Sequence, residues 1–140
     1  MDFKEYREKF YQREPGEQDW NLVGASGVSI YVSDYAPALA FYDKVFGQPH
    51  YKEGADTHGW RLGRTWLTLF QSREGSPRNT EISLELGSKA EVDRLYQSFL
   101  SAGAQGDPAQ ETLMYVPVYA AFLSDPFGLS WTLSYQLPQE

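Results

Sequence analysis

Cysteine is absent from this 140-residue chain, which excludes disulfide staples, thiolate metal sites and cysteine nucleophiles together. Histidine occurs only as His50 and His58, so any imidazole chemistry must come from those two positions. Long apolar runs are missing too. No stretch approaches the roughly 18 residues of a membrane-spanning helix, and the charged start Met1-Asp2-Phe3-Lys4-Glu5 lacks the apolar centre of a signal peptide. Basic residues are the minority, 12 against 19 acidic, for a net charge of −7. That balance repels a phosphate backbone or an anionic membrane, arguing against nucleic-acid and membrane partners. These absences predict a soluble chain in a reducing, cytoplasmic compartment.

Aromatic residues, by contrast, make up 16% of the chain. A chain of this length is about one domain and buries roughly two thirds of its unfolded surface on folding, so one sizeable core is expected. Phe3, Tyr6 and Phe10 recur at helical spacing, and Asp2 with Glu5 reads as a capping box. Residues 1–21 therefore read as a helical extension, closed by Pro15-Gly16 and a polar linker. It is able to pack on its own domain or on a partner chain. The domain proper spans 22–140.

Within that domain one pattern occurs twice. Val28, Ile30 and Val32 alternate with Ser29, Tyr31 and Ser33, the period of a strand with one face on a core. A helix follows, with Asp34 as its expected cap, Pro37 in its opening turn, an apolar stripe of Ala38, Phe41, Tyr42 and Val45, and Gly47 at its end. Short strands are predicted around Tyr51, Trp60 and Leu67, with Gly63-Arg64 as a tight reversal. After a polar loop from Ser72 to Asn79 the pattern restarts: Ile82, Leu84 and Leu86 alternate with polar residues, Ser88 and Glu91 form a capping box, and a helix runs to Gly103. Strands are then expected around Thr112, Phe122 and Trp131. The offset between the halves is roughly 55 residues, the mark of an internal duplication. The fold class is thus α+β: two βαβββ modules, about 24–72 and 79–137, forming a curved mixed sheet around a cavity, plus the N-terminal helix. The ferredoxin-like sandwich shares the strand and helix order but has fewer strands per unit.

Val32-Ser33-Asp34, Phe41-Tyr42 and Val45-Phe46-Gly47 in the first half, and Phe122-Leu123-Ser124-Asp125-Pro126-Phe127-Gly128 followed by Trp131 in the second, resemble the vicinal oxygen chelate superfamily. This is the fold of glyoxalases, bleomycin resistance proteins and extradiol dioxygenases. The resemblance covers residues 24–137, and its motifs describe scaffold: a helix cap, a turn and core aromatics. In metal-using relatives it implies four inward-facing ligand positions, usually two histidines and two glutamates. Here those positions fall on Gly27, Thr68, Glu81 and Thr132. One carboxylate and two hydroxyls are a poor set for zinc, nickel or iron, so no metal and no cofactor are expected.

Strand alternation turns Ser29 and Tyr31, then Trp66, Thr68 and Phe70, then Glu81 and Ser83, and finally Thr132 with Ser130 and Ser134 toward the cavity. These predict a hydroxyl-lined, aromatic and mildly acidic surface for a small aromatic or cationic molecule, the general manner of antibiotic-sequestering relatives. Glu81, if walled in by Tyr31, Trp66 and Phe70, would have a raised pKa and serve as a general base. The alternatives are an enzyme of the lyase, isomerase or dioxygenase type and a non-catalytic interaction module. His50 and His58, with Glu53 and Asp56 between them, offer a displaced metal site or general bases, against the plainer reading of exposed strand residues. A homodimer is expected, with Phe3, Phe10 and Tyr11 supplying apolar contact surface.

Overall fold

The computed structural model describes residues 1–24 and 26–139. Helix α1 (Phe3–Phe10) comes first. The first module comprises β1 (Ser26–Val32), α2 (Tyr35–Phe46), β2 (Tyr51–Lys52), β3 (Thr57–Leu62) and β4 (Thr65–Gln71). The second repeats the order with β5 (Thr80–Glu85), α3 (Lys89–Ala102), β6 (Gln105–Met114), β7 (Val116–Ser124) and β8 (Leu129–Gln136). Each module makes a four-stranded mixed sheet, in the orders β1-β4-β3-β2 and β5-β8-β7-β6. The first strand pairs parallel with the last and the others run antiparallel, because the helix carries the chain across one sheet face before the three-strand meander returns it. The duplicated α+β architecture is therefore as the sequence predicts.

Local signals explain the ends of the elements. The amide of Glu5 donates to Asp2 Oδ1 at 2.9 Å and that of Glu91 to Ser88 Oγ at 3.1 Å, so both capping boxes provide their expected bond. Asp34 does not cap α2 through its side chain, contrary to expectation. The cause is Pro37, which occupies the third helical position and has no N–H for such a cap to bind. The extension packs on its own domain: the backbone N–H of Tyr115, at the β6–β7 turn, donates to the Tyr6 hydroxyl at 2.9 Å, and the Tyr11 hydroxyl donates to the Tyr115 carbonyl.

The core lies between the helices and one face of each sheet. Tyr42 on α2 has its ring 6.1 Å from Trp60 of the first sheet and 6.2 Å from Trp131 of the second. Phe41 meets Phe99 of α3 at 6.2 Å, so the two helices also share aromatic contacts. Trp60, Trp131, Tyr42 and Phe99 are all fully buried. Burial of a large apolar side chain contributes about 2–3 kcal/mol, so these rings lock the two modules into one core. The opposite sheet faces carry the site residues.

Candidate functional site

Strand register fixes what shares the open face of the first sheet. Across β1, β4 and β3 the rows are Tyr31, Phe70 and Thr57; then Ser29, Thr68 and Gly59; then Gly27, Trp66 and Arg61. Tyr31 and Phe70 stack with centroids 5.1 Å apart and planes 17° from parallel, and Tyr31 remains 55% exposed. Phe70 and Trp66 are four residues apart on one strand, about 13 Å along it. Only small or hydroxyl side chains form the row between them. A Cβ added to Gly59 would lie 3.6 Å from Trp66 Cε3, so the indole leans over that glycine. The result is a shallow slot with an aromatic pair at one end and Trp66 at the other. The Arg61 guanidinium sits over the Trp66 ring at 5.6 Å and donates through Nε to the Gly63 carbonyl.

On the second sheet, Glu81 and Ser83 of β5 pair with Ser130 and Thr132 of β8, and Phe122 of β7 stands opposite Thr132. The buried Thr132 hydroxyl donates to Glu81 Oε1, while the Glu81 residue as a whole is exposed. The predicted site residues thus fall into two groups: Ser29, Tyr31, Trp66, Thr68 and Phe70 on one sheet, and Glu81, Ser83 and Thr132 on the other. A groove of about 280 Å³ along the seam touches both modules, with Ser29 and Tyr31 on one side and Thr80, the neighbour of Glu81, on the other.

The four positions that the resemblance marks for metal ligation carry no side-chain donor at Gly27, hydroxyls at Thr68 and Thr132, and a carboxylate at Glu81. The Thr132 hydroxyl is already spent on that carboxylate. This donor set does not fit a divalent transition ion. Among the described residues no three His, Asp or Glu side chains cluster as metal ligands elsewhere.

The plainer reading of the two histidines as exposed strand residues holds for His50 and not for His58. His50 is exposed and its Nδ1 accepts from the Arg61 amide at 3.1 Å. His58 is buried, 6% exposed, and faces α2 rather than the open side. Its Nδ1 lies 2.6 Å from the Tyr35 hydroxyl, which also reaches the Leu69 carbonyl at 3.1 Å. The reading of His58 as an exposed strand residue is therefore corrected. The signal was present in its parity with Trp60, two residues on and on the same buried face of β3. The same parity rule places Gly59, Arg61 and, through its pairing with Gly59, Tyr51 on the open face. Sequence reasoning had not singled out these residues for the site.

Comparison with known proteins agrees with this geometry. The family model described as Glyoxalase/Bleomycin resistance protein/Dioxygenase superfamily matches residues 24–133. A search of curated proteins finds no match. Among solved structures, a glyoxalase/bleomycin resistance protein/dioxygenase family enzyme from Burkholderia phytofirmans superposes with a TM-score of 0.66 at 22% identity, covering 82% of this chain and 100% of that one. A glyoxalase/bleomycin resistance protein from Albidiferax ferrireducens gives 0.68 at 16% identity, over 79% and 98% of the two chains. A lactoylglutathione lyase from Agrobacterium tumefaciens gives 0.64 at 22%, over 82% and 95%. At such identities the likeness is one of fold. No helix among the described residues is long and apolar enough to cross a membrane.

Proposed function

The chain belongs to the Glyoxalase/Bleomycin resistance protein/Dioxygenase superfamily, and from that premise we propose that it is a metal-free binder of small planar aromatic or cationic molecules, acting as a cytoplasmic homodimer. The observation that carries this reading is the exposed parallel stack of Tyr31 on Phe70. A solvent-facing aromatic pair beside a floor of small residues offers ring faces at little conformational cost. The donor-poor ligand positions support organic rather than metal contacts. Arg61 already occupies the face of Trp66, so a cationic group belongs at the Tyr31–Phe70 end, where a ring face attracts it. Glu81, oriented by Thr132, supplies an acceptor from the second module. Phe10, Trp20, Leu22 and Val23 are all more than half exposed and give a second copy apolar surface to cover.

Titration of tryptophan fluorescence with quinoline and with N-methylquinolinium tests this function. Saturable quenching by either probe is expected, lost in Phe70→Ala while the melting temperature is retained. Equal binding by Phe70→Ala, or no saturation with either probe, would overturn it. The second reading, an enzyme of the lyase, isomerase or dioxygenase type with Glu81 as base, is favoured by one feature: the Thr132 bond holds one carboxylate oxygen, and Oε2 has no hydrogen-bond partner among the described residues. Turnover abolished by Glu81→Gln, with binding intact, would establish it over simple sequestration.

A further inference from the structure

Polar side chains of the core spend their hydrogen-bonding atoms on one another, with one exception. Both Asp125 carboxylate oxygens accept, the Thr132 hydroxyl is given to Glu81, and Tyr42, Trp60, Tyr96 and Trp131 each donate to an oxygen. His58, only 6% exposed, bonds through Nδ1 and keeps Nε2 without a partner among the described residues. No side-chain nitrogen or oxygen there is both sealed from solvent and unpartnered, so Nε2 opens onto a surface. The surface that His58 lines is a groove of about 440 Å³ on the helix side of the first sheet, between α2 and the β2–β3 edge. Ala36 and Ala40 of α2 face a two-residue strand there, and their short side chains leave the space unfilled.

The neighbours of the ring decide whether that atom gives or takes a hydrogen. Tyr35 has one hydroxyl hydrogen, and the Leu69 carbonyl at 3.1 Å can only accept, so the hydrogen goes to Leu69. The 2.6 Å contact is then donated by His58 Nδ1–H to the Tyr35 oxygen. A neutral imidazole carries a single ring hydrogen, so Nε2 presents a bare lone pair to the groove. Burial first, and the Lys52 charge second, lower the His58 pKa, which keeps the ring neutral at pH 7. Leu39, Ala40 and Pro49 wall the groove with apolar surface, while Asp43 and Lys52 stand at its rim with opposite charges. An ion of either sign therefore meets a like charge, and the groove as a whole asks for a neutral, mostly apolar occupant with one hydrogen to give.

We propose that this groove binds a small uncharged phenol, whose O–H donates to His58 Nε2 while its ring lies on Leu39, Ala40 and Pro49. A phenolic O–H, with a pKa of about 10, is acidic enough to be a strong donor and still keeps its proton at neutral pH. A carboxylate or an ether brings no hydrogen to the lone pair. Tyr35 is a positioning residue: by accepting from Nδ1–H it holds the imidazole in the tautomer that accepts from the groove. The site is on the opposite side of the sheet from Tyr31 and Phe70 and does not depend on their ligand.

Phenol itself is the probe, followed by NMR of the imidazole nitrogens of isotopically labelled protein. The free protein should show His58 Nε2 without a proton at neutral pH. Phenol should move that signal saturably with a dissociation constant of about 1 mM, the level a fragment of this size reaches. Anisole keeps the ring and loses the donor, and benzoate is ionised, so each should bind about tenfold more weakly or worse. Ala40→Leu, on an exposed helix position, should abolish binding by filling the groove. Tyr35→Phe should let the ring hydrogen move toward Nε2 and weaken phenol severalfold, a tautomer signature that a change in packing alone does not produce. A protonated Nε2 in the free protein at neutral pH, no saturable phenol shift, an equal response to anisole, or unchanged affinity in Ala40→Leu would overturn the proposal.

Discussion

The Tyr42 hydroxyl, on the helix of the first module, donates to Asp125 Oδ2 in the closing hairpin of the second at 2.6 Å. Asp125 is 8% exposed and also accepts from Trp131 Nε1 at 2.8 Å, from the Phe127 amide at 2.7 Å and from the Leu129 amide at 3.2 Å. A single carboxylate therefore shapes the Asp125-Pro126-Phe127-Gly128 turn and ties both modules together.

Removing this junction should cost stability in graded steps. Tyr42→Phe loses one hydrogen bond to a charged acceptor, a loss of about 1.5–3 kcal/mol. Asp125→Asn should cost at least as much, because an amide NH₂ cannot accept from Trp131 Nε1 and leaves a buried donor unsatisfied. Urea unfolding of both variants measures the difference. A loss below about 0.5 kcal/mol in each would show that the modules are held by ring packing alone.

Gly128 carries a second constraint in the same motif. Its φ is +98°, and an added Cβ would collide with the backbone carbonyl of Pro77 in the loop joining the modules. Backbone strain and steric overlap act together, so Gly128→Ala should destabilise by about 2–4 kcal/mol. Gly63→Ala is the control: φ is +61° there, but a Cβ added at that glycine would meet nothing within 4 Å. It should cost about 1 kcal/mol. Equal losses in thermal melts would remove the steric part of the argument.

These examples also show how far the sequence was readable. The duplication, the helix ends at Gly47 and Gly103 and the Ser88–Glu91 cap rest on signals within a few residues, and the structure reproduces them. The same local chemistry, applied to Asp34, overlooked that Pro37 removes the amide it would bind. Alternation placed Tyr31 with Phe70 and Glu81 with Ser83, since a strand's parity is local. The relation between those two groups is not local, because it depends on how two separate sheets meet. His58 is the intermediate case: its parity with Trp60 was readable, but its bond to Tyr35 requires α2 to cross above β3.

Burial predicts an alkaline signature. It pushes the Tyr35 phenol up to about 12, helped by the negative charge of Asp56. Burial acts more strongly on Tyr42, which the Asp125 carboxylate raises further. A phenol with a raised folded pKa binds its proton more tightly folded than unfolded. Its stabilisation is complete below about pH 10, the unfolded value, and is lost as pH rises toward 12. Spectrophotometric titration should show Tyr35 and Tyr42 ionising above the ordinary phenol value of about 10, Tyr42 later than Tyr35. Both titrating near pH 10 in folded protein would contradict their burial.

His58 predicts the complementary acid limb. Burial lowers its pKa first and the Lys52 charge second, with Asp56 opposing. A folded pKa below the unfolded value of about 6.5 means that the unfolded chain takes up a proton more readily, so stability is present above that pH and declines as pH falls through the folded value. NMR titration should place the His58 midpoint below the ordinary imidazole value of about 6.5, and His58→Gln should flatten the stability profile below that pH if it still folds. Lys52→Met provides a milder test, since removing that cation should move the His58 midpoint upward. A midpoint at or above about 6.5 would contradict the packing of His58 beneath α2.

Divalent ions give the most direct test of the open-face reading. A ligand that binds only the folded state at a hundred times its dissociation constant adds about 2.7 kcal/mol, which in a domain of this size raises the melting temperature by several degrees. Gly27, Thr68, Glu81 and Thr132 present a single carboxylate, one oxygen of which is held by Thr132. Millimolar Ni²⁺, Zn²⁺ or Mn²⁺ should therefore move the melting temperature by less than about 1 °C. Dialysis against a chelator should leave quinoline binding unchanged. A rise of several degrees that disappears in Glu81→Gln would place an ion at this position after all, and would transfer the argument from organic contacts to metal chemistry.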